Sequence, residues 1–289
     1  SPNGASLLII SDDAMRLFSF ANNAFLEFES SPSRVRAGVF SPDGERILIS
    51  GSANGGVPQL WDVARRRLLR NLPAHDAPVN SVLFSPDGEQ ILSVSDDFTA
   101  ILSDADTGDE LRRFTAHNNR VTQAVFTGDG LGVFTVSTSG EIYQWDTTQA
   151  SETRTFARQS NAVTSVGRVL YSPSGRYIIS AVDDGSVLIW EAEGDQAPQT
   201  RSFGHTTIPQ TRLVLSPEAT DDNLLAFLGA TDVRLVNLTT GDTIRTFAVD
   251  TARTFVESIA VSPDGKTMAW AGGAFFRRSA SEFTRAGIL

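Results

Sequence analysis

The chain has 289 residues, 40% of them apolar and 20% charged, with a net charge of −10 and no cysteine. Without thiols there is no disulfide scaffold, zinc ribbon, iron–sulfur centre or cysteine nucleophile, and the acidic balance argues against a general nucleic-acid binder, which needs a basic face. No apolar run approaches the ~20 residues of a membrane span; the stretch Leu224 to Ala230 falls far short of it.

One short turn recurs along the chain. It reads Ser1-Pro2-Asn3-Gly4, Ser41-Pro42-Asp43-Gly44, Ser85-Pro86-Asp87-Gly88, Thr127-Gly128-Asp129-Gly130, Ser172-Pro173-Ser174-Gly175, a degenerate copy at Ser216-Pro217, and Ser262-Pro263-Asp264-Gly265. The intervals are 40, 44, 42, 45, 44 and 46 residues. Proline presets the first central angle of a tight turn, and Asp and Gly suit the positions after it.

β-rich segments precede the turns: Val35 to Phe40, Val79 to Phe84, Val121 to Phe126, Val169 to Tyr171, Leu213 to Leu215 and Ile259 to Val261. A second strand follows each turn, as in Ile47 to Ile49, Ile91 to Val94 and Tyr177 to Ile179. After a polar turn comes a third strand, often closing in Trp and an acid: Trp61-Asp62, Trp145-Asp146, Trp190-Glu191. Further turns at Thr107-Gly108, Gly194-Asp195 and Thr240-Gly241 lead to a fourth. Four short strands per period, with no helical periodicity, predict an all-β chain of repeated four-stranded antiparallel sheets.

These motifs resemble the WD-repeat β-propeller family, of a bacterial type with degenerate repeats, which includes the β subunit of heterotrimeric G proteins. The resemblance implies a single seven-bladed propeller over residues 1–289, with the last blade short or incomplete. The 28 residues from Ser262 to Leu289 make less than a full period. Either that blade is incomplete, with strands marked by Ile259, Met268 and Phe275, or residues near Gly272-Gly273 are absent, or Leu289 truncates a longer array. Thr284 to Leu289 followed by Ser1 to Gly4 matches Val35 to Phe40 followed by Ser41 to Gly44, so the segment 283–289 is expected to complete blade one. The chain is expected to be a segment of a longer polypeptide.

The resemblance also assigns the histidines. The family's blades join a His, a Ser or Thr, an Asp and a Trp in a buried network. Blade three offers His75, Ser93 and Asp97, with Ser103 in place of Trp. Blade four has His117, Thr135 and Trp145, with Ser139 in place of Asp. Blade five has Ser180, Asp184 and Trp190 with Gln159 or Ser160 in place of His, and blade six keeps His205 with Val236 in place of Trp. A structural role is expected for all three histidines. Of each carboxylate pair (Asp12-Asp13, Asp96-Asp97, Asp183-Asp184), one member is expected in the network and the other exposed.

Arginine makes up 23 of the 24 basic residues, Lys266 being the lone lysine, a bias that a GC-rich genome explains most simply. Arg70, Arg112, Arg154, Arg201 and Arg245 recur on the fourth strands. Asp62, Asp104 and Asp146 precede the first three by eight residues, and Glu191 precedes Arg201 by ten. Each acid is expected to face its Arg across a hairpin, favouring charge ladders over a phosphate track.

Function is expected to lie in loops, as it does on rigid β scaffolds. The leading reading is a non-catalytic scaffold that presents Arg34, Arg36, Asp76, Asn80, Phe98, Asn118, Asn119, Arg120, Arg158, Gln159, Arg253 and Phe255 to a protein or peptide partner. Phe98 stands where a repeat equivalent, Gly185, is small, and is either exposed or packed under a neighbouring loop. A second reading is a subunit of a larger complex, bound through the propeller side near Phe255 and Phe275 to Arg278. An enzymatic reading finds no G-x-S-x-G elbow, although a catalytic domain fused outside the segment would change it. No metal, cofactor or nucleic-acid partner is expected. The compartment is undetermined, with the cytoplasm favoured.

Overall fold

The computed structural model describes residues 1–10, 15–28, 35–51, 56–149, 152–156, 166–182, 186–192, 199–202, 213–215, 225–228, 232–237, 240, 242–248, 255–261 and 268–273. The chain divides into two compact units, Ser1–Arg158 and Gln159–Leu289. Every regular element among the described residues is a strand, and no helix there is long and apolar enough to cross a membrane.

In the first unit, β1 (Ser6–Ile10), β2 (Met15–Ser19) and β3 (Ala24–Glu27) make a three-stranded sheet. Three four-stranded sheets follow. They are β4 (Val35–Phe40), β5 (Arg46–Gly51), β6 (Gln59–Asp62) and β7 (Arg67–Asn71); β8 (Val79–Phe84), β9 (Gln90–Ser95), β10 (Ala100–Asp104) and β11 (Glu110–Phe114); and β12 (Val121–Phe126), β13 (Gly132–Ser137), β14 (Ile142–Asp146) and β15 (Glu152–Phe156). Every sheet is an antiparallel meander whose neighbours in space are neighbours in sequence.

The second unit continues the pattern. Its sheets are β16 (Val166–Tyr171), β17 (Tyr177–Val182), β18 (Ser186–Glu191) and β19 (Gln199–Ser202); β20 (Leu213–Leu215), β21 (Leu225–Leu228), β22 (Asp232–Val236) and β23 (Thr243–Ala248); and the pair β24 (Phe255–Val261) and β25 (Met268–Gly273). Ile179, Val187, Ile189 and Val236 form its buried cluster, joining the two four-stranded sheets. The strands marked by Ile259 and Met268 are present, whereas Phe275 and the expected closing segment 283–289 lie outside the described residues.

The recurrent turn has the geometry its residues dictate. In the third sheet the Gly88 amide donates to the Ser85 carbonyl at 2.9 Å, and Gly88 adopts φ 78°, a left-handed conformation that costs glycine nothing. The Ser85 hydroxyl accepts the Gln90 amide at 2.8 Å and donates to Asp87, which in turn accepts the Glu89 amide at 3.0 Å. The hydroxyl bond holds the Asp87 carboxyl below its usual range, as the matching Ser41 and Thr127 bonds do for Asp43 and Asp129.

Alternation along the strands buries both faces of the second and third sheets, so the sheets of the first unit stack in series. Ile47, Ile49 and Trp61 pack with Met15 and Leu17 of the first sheet. Leu48 and Leu60, one residue over, pack with Val79, Val82 and Phe84 of the third. Leu92, Val94, Leu102 and Phe114 then pack with Val121, Val133 and Trp145 of the fourth. Burial of each such side chain contributes about 1.5–3 kcal/mol, which makes the inter-sheet layers the main stabilising term.

Two bulges repeat and escape a reading of the sequence. Between first and second strands the register shifts at Val35/Ala37, Val79/Ser81, Val121/Gln123 and Val166/Arg168, so that Arg36, Asn80, Thr122 and Gly167 are skipped in the strand register. Between third and fourth strands it shifts at Leu60/Trp61, Leu102/Ser103 and Leu235/Val236, which leaves Leu69, Leu111 and Ile244 unpaired and exposed. A bulge re-aims a side chain and increases local twist.

The expected charge ladders are corrected by this register. Leu60, not Asp62, stands opposite Arg70, while Asp62 stands opposite Arg67. Leu102 stands opposite Arg112 and Gln144 opposite Arg154. The arginines reach forward instead. Arg112 donates to carbonyls of the next sheet, and Arg70 lies over the next sheet's Gly108, where an added Cβ would meet its Cδ at 2.8 Å. Asp104 and Asp146 each feel the positive field of the preceding sheet's arginine, Arg70 and Arg112 respectively. For Arg70 and Arg112 the contacts run to the next sheet and not to an acid in their own hairpins.

Candidate functional site at one end of the third and fourth sheets

Antiparallel meandering sends the turn between second and third strands, and the link entering the next sheet, to the same end. At that end the third sheet carries Asp76 on its incoming link and Phe98 on its β9–β10 turn. Asn118, Asn119 and Arg120 lie on the link into the fourth sheet.

The floor of this end is polar and buried. His75 Nδ1 lies 2.9 Å from Asp97 Oδ2 and 3.1 Å from Thr99 Oγ1, and its Nε2 lies 2.9 Å from Ser93 Oγ. Burial pushes the His75 pKa down and outweighs the upward pull of Asp97. Asp97 also accepts the Thr99 hydroxyl at 2.7 Å and the amides of Thr99 and Asp76 at 2.9 and 3.0 Å. Burial raises its pKa, but these donors and His75 hold it below the usual carboxylate range. Serine, histidine and aspartate stand here in the order of a catalytic triad. The Ser93 residue is 3% exposed and the His75 side chain fully buried, however, so no substrate can reach the hydroxyl.

The fourth sheet carries a partial copy. His117 Nε2 lies 2.7 Å from Thr135 Oγ1, which also accepts the Trp145 indole N–H at 2.7 Å. Ser139 holds the aspartate position, and His117 Nδ1 is buried with no hydrogen-bond partner among the described residues. Burial pushes the His117 pKa down to about 4. Both described histidines are therefore structural, as the family resemblance implied, while His205 lies outside the described residues.

Asn80 ties the two sheets together. From its bulged position its amide donates to Asp96 Oδ1 at 2.8 Å and to the Val121 carbonyl at 2.9 Å. Asp96, expected to be exposed, is half-buried and held by this bond. Asn80 thus sets the distance between the Phe98 turn and the Arg120 link instead of presenting its amide to solvent. The Arg120 carbonyl accepts the Thr138 amide at 2.9 Å, and the Asn118, Asn119 and Arg120 side chains are exposed.

Phe98 settles the alternative left open by the sequence. It is 43% exposed, not packed under a loop, and its backbone adopts φ 72°. The equivalent position in the fourth sheet is Gly140, at φ 82°. A bulky side chain in this region is sterically disfavoured, and a phenyl ring left in water recovers little of that cost.

Of the other expected contact residues, Arg36 lies in β4 and Phe255 in β24, with side chains outside the description. Arg34, Arg158, Gln159 and Arg253 lie wholly outside the described residues. Among the described residues no group of three or more His, Asp or Glu side chains is arranged to hold a metal ion. Arg46 was not singled out by the sequence, having no repeat counterpart in charge. It donates to the Ala105 and Gly88 carbonyls at 3.1 Å each and to Asp106 Oδ1 at 2.9 Å, all in the next sheet.

Comparison with known proteins agrees with this geometry. The sequence model of the family described as WD domain, G-beta repeat, or WD40, matches residues 66–104, 108–146 and 150–191. The first match runs from β7, the fourth strand of one sheet, through β8, β9 and β10, the first three of the next, so that it spans parts of two consecutive sheets. Three segments of the chain thus match WD40 repeats, and its four-stranded antiparallel sheets are consistent with WD blades.

Among its relatives, the U5 small nuclear ribonucleoprotein 40 kDa protein of Bos taurus is 47% identical over 58 residues, 20% of this chain and 16% of that protein. WD repeat-containing protein VIP3 of Arabidopsis thaliana is 33% identical over 109 residues, 33% of this chain and 34% of that protein. A guanine nucleotide-binding protein subunit beta of Oryza sativa subsp. japonica is 39% identical over 67 residues, 23% of this chain and 17% of that protein. The chain thus spans well under two thirds of the length of each of these relatives.

Proposed function

We propose that this chain is a non-catalytic protein-interaction scaffold, a closed seven-bladed propeller that holds a protein or peptide partner on the end bearing Asp76, Phe98, Asn118, Asn119 and Arg120. The observation that carries the reading is Phe98, a large aromatic ring that is 43% exposed on a backbone position suited to glycine. Residues in disfavoured conformations collect at functional sites because the surrounding fold bears their cost. The buried His75–Asp97 network and the Asn80 tie supply the rigid base beneath them, and aromatic and arginine side chains are the preferred anchors of protein interfaces. The relatives support the reading in general: one is named as a ribonucleoprotein component and one as a G-protein subunit.

Closure of the ring is part of the proposal. Among the described residues the first sheet has three strands where the next three sheets have four, and the strand they have beyond it is the equivalent of β4 beside β1. Leu7, Phe18 and Phe25 stand opposite one another across it, with Leu7 48% and Phe25 54% exposed. An apolar row of this kind suits burial under a further blade, and the segment 283–289 matches β4 in sequence.

The test is quantitative affinity capture with the wild-type chain, Phe98→Gly and Arg120→Ala. Partners bound through this end are retained by the wild type and lost from both variants, while folding is unimpaired. Retention of every partner by Phe98→Gly would remove the reading. A second reading, attachment through the blade side near Phe255, predicts that outcome.

A further inference from the structure

We infer that the turn Arg65-Arg66-Arg67, with Leu68 beside it, is a second binding surface, one that takes a short acidic, leucine-bearing segment of a protein partner. It joins β6 to β7 and so lies at the opposite end of the sheets from Phe98. The inference does not rest on the function proposed above.

The fold does not require these residues. The equivalent stretch of the third sheet is Thr107-Gly108-Asp109-Glu110, and in the second unit Thr240-Gly241-Asp242-Thr243 repeats the Thr-Gly-Asp theme. The second sheet inverts the charge of a turn that is otherwise polar or acidic. Arg66 adopts φ 54° where Gly108 adopts φ 81°. Like Phe98, it is a long side chain in a conformation suited to glycine, and it costs stability that the turn itself does not recover.

Charge balance within the protein does not explain the cluster either. Arg65 is paired, its Nη1 lying 2.8 Å from Asp62 Oδ2 and its amide donating to Asp62 Oδ1 at 2.6 Å. That one buried carboxylate cannot neutralise three guanidiniums, and neither Arg66 nor Arg67 forms a salt bridge among the described residues. The turn is a local cationic point on a chain of net charge −10.

Leu68 decides between classes of anion. Its equivalents in the third and fourth sheets are Glu110 and Glu152, facing Ser103 and Trp145 as Leu68 faces Trp61. At 37% exposed it presents an apolar surface beside the arginines. A phosphodiester backbone has no use for that surface, and the equivalent turn of the next sheet (Asp106, Asp109, Glu110), with Asp106 paired to Arg46 and Glu110 to Arg113, offers a long polyanion no second cationic contact. A short peptide with carboxylates and one or two leucines satisfies both features.

The experiment measures fluorescence anisotropy of a labelled Glu- and Leu-containing peptide against the full chain. Controls are the same peptide with Gln for Glu, the same with Ser for Leu, and a single-stranded oligonucleotide. Arg66→Gly/Arg67→Asp copies the neighbouring turn, so it folds with an unchanged or higher Tm, and it should weaken the acidic peptide roughly tenfold. Added salt should weaken binding further, and either control peptide should bind less well. Equal binding by wild type and the double variant, no binding of the acidic peptide at low salt, or tighter Arg-dependent binding of the oligonucleotide would each overturn the inference.

Discussion

Arg112, on the fourth strand of the third sheet, donates from Nε to the carbonyl of Thr147 in the fourth sheet at 3.0 Å and from Nη2 to the carbonyl of Thr148. Arg46 does the same service one interface earlier, with three acceptors in the third sheet. The stacked sheets are therefore fastened by polar clamps at the turns as well as by apolar layers between them.

Removing a clamp should cost stability. Arg46 is largely shielded, at 20% side-chain exposure, and hydrogen bonds from a charged donor contribute about 1.5–3 kcal/mol. Arg46→Ala is expected to lower the urea-unfolding free energy by an amount of that order. Arg113, whose salt bridge is to Glu110 on its own strand and whose bond to the Ala74 carbonyl is long at 3.4 Å, is partly exposed and should cost about 0.5 kcal/mol or less on truncation. Equal losses for the two would disprove the clamp.

Phe98→Gly should stabilise the protein. The left-handed backbone at φ 72° disfavours any residue with a Cβ by about 1–2 kcal/mol, and a ring that is 43% exposed offsets only part of that. The Tm should rise. A fall would mean that the ring packs more productively than its exposure indicates.

Acid should destabilise the fold through His117 before the carboxylates respond. Its pKa falls to about 4 in the folded chain from 6.5, so the unfolded chain binds more protons between these values and stability rises with pH across them. The contribution is complete above about pH 6.5 and lost progressively towards pH 4, amounting to about 2 kcal/mol by pH 5. His75, also lowered by burial, adds in the same direction. His117→Gln should lose less stability between pH 7 and 5 than the wild type, as read by urea titrations at both values.

Grafting the third sheet's network onto the fourth should give His117 Nδ1 a partner. Ser139→Asp with Glu141→Thr reproduces the positions of Asp97 and Thr99, whose donors and acceptors are fully used beside His75. Satisfying a buried orphan is worth about 1–3 kcal/mol. The double variant should be more stable at pH 7, with its His117 titration moved up from about 4, measurable by NMR.

The absence of native cysteine makes ring closure directly testable. If the segment 283–289 pairs with β1 as β4 pairs with β5, Leu289 faces Leu7, because Phe40 faces Ile47. Directly opposed residues fall within the Cα separation of about 4.4–6.8 Å that a disulfide spans. Leu7→Cys/Leu289→Cys should crosslink within one chain on oxidation, shown by a mobility change on non-reducing gels. Failure to crosslink would count against closure through this strand.

Strand positions and turns were legible in the residues because each is decided locally. Ser85-Pro86-Asp87-Gly88 has one low-energy conformation, and the alternation of β5 or β9 declares both faces apolar. The bulges were not legible. They shift register by one residue without any special side chain at Leu69 or Leu111, and the error propagated to the arginines, which were set against acids in their own hairpins. Phe98 and Arg66 lie between these cases. Their departure from Gly140 and Gly108 is visible once the repeats are aligned, but exposure and backbone angle are needed to show that the departure is costly.

The 40–46-residue period and the four-strand meander follow from short-range chemistry and repetition, which a chain carries in its order of residues. Which arginine meets which acid, whether Asn80 faces solvent or the next sheet, and which side chains remain uncovered depend on how one sheet is placed against another. That placement is set by packing between residues some forty positions apart, where a single bulge redirects a side chain from its own strand to its neighbour's turn. The resulting surface, with Phe98 at one end and Arg65 to Leu68 at the other, is a property of the stack and not of any one repeat.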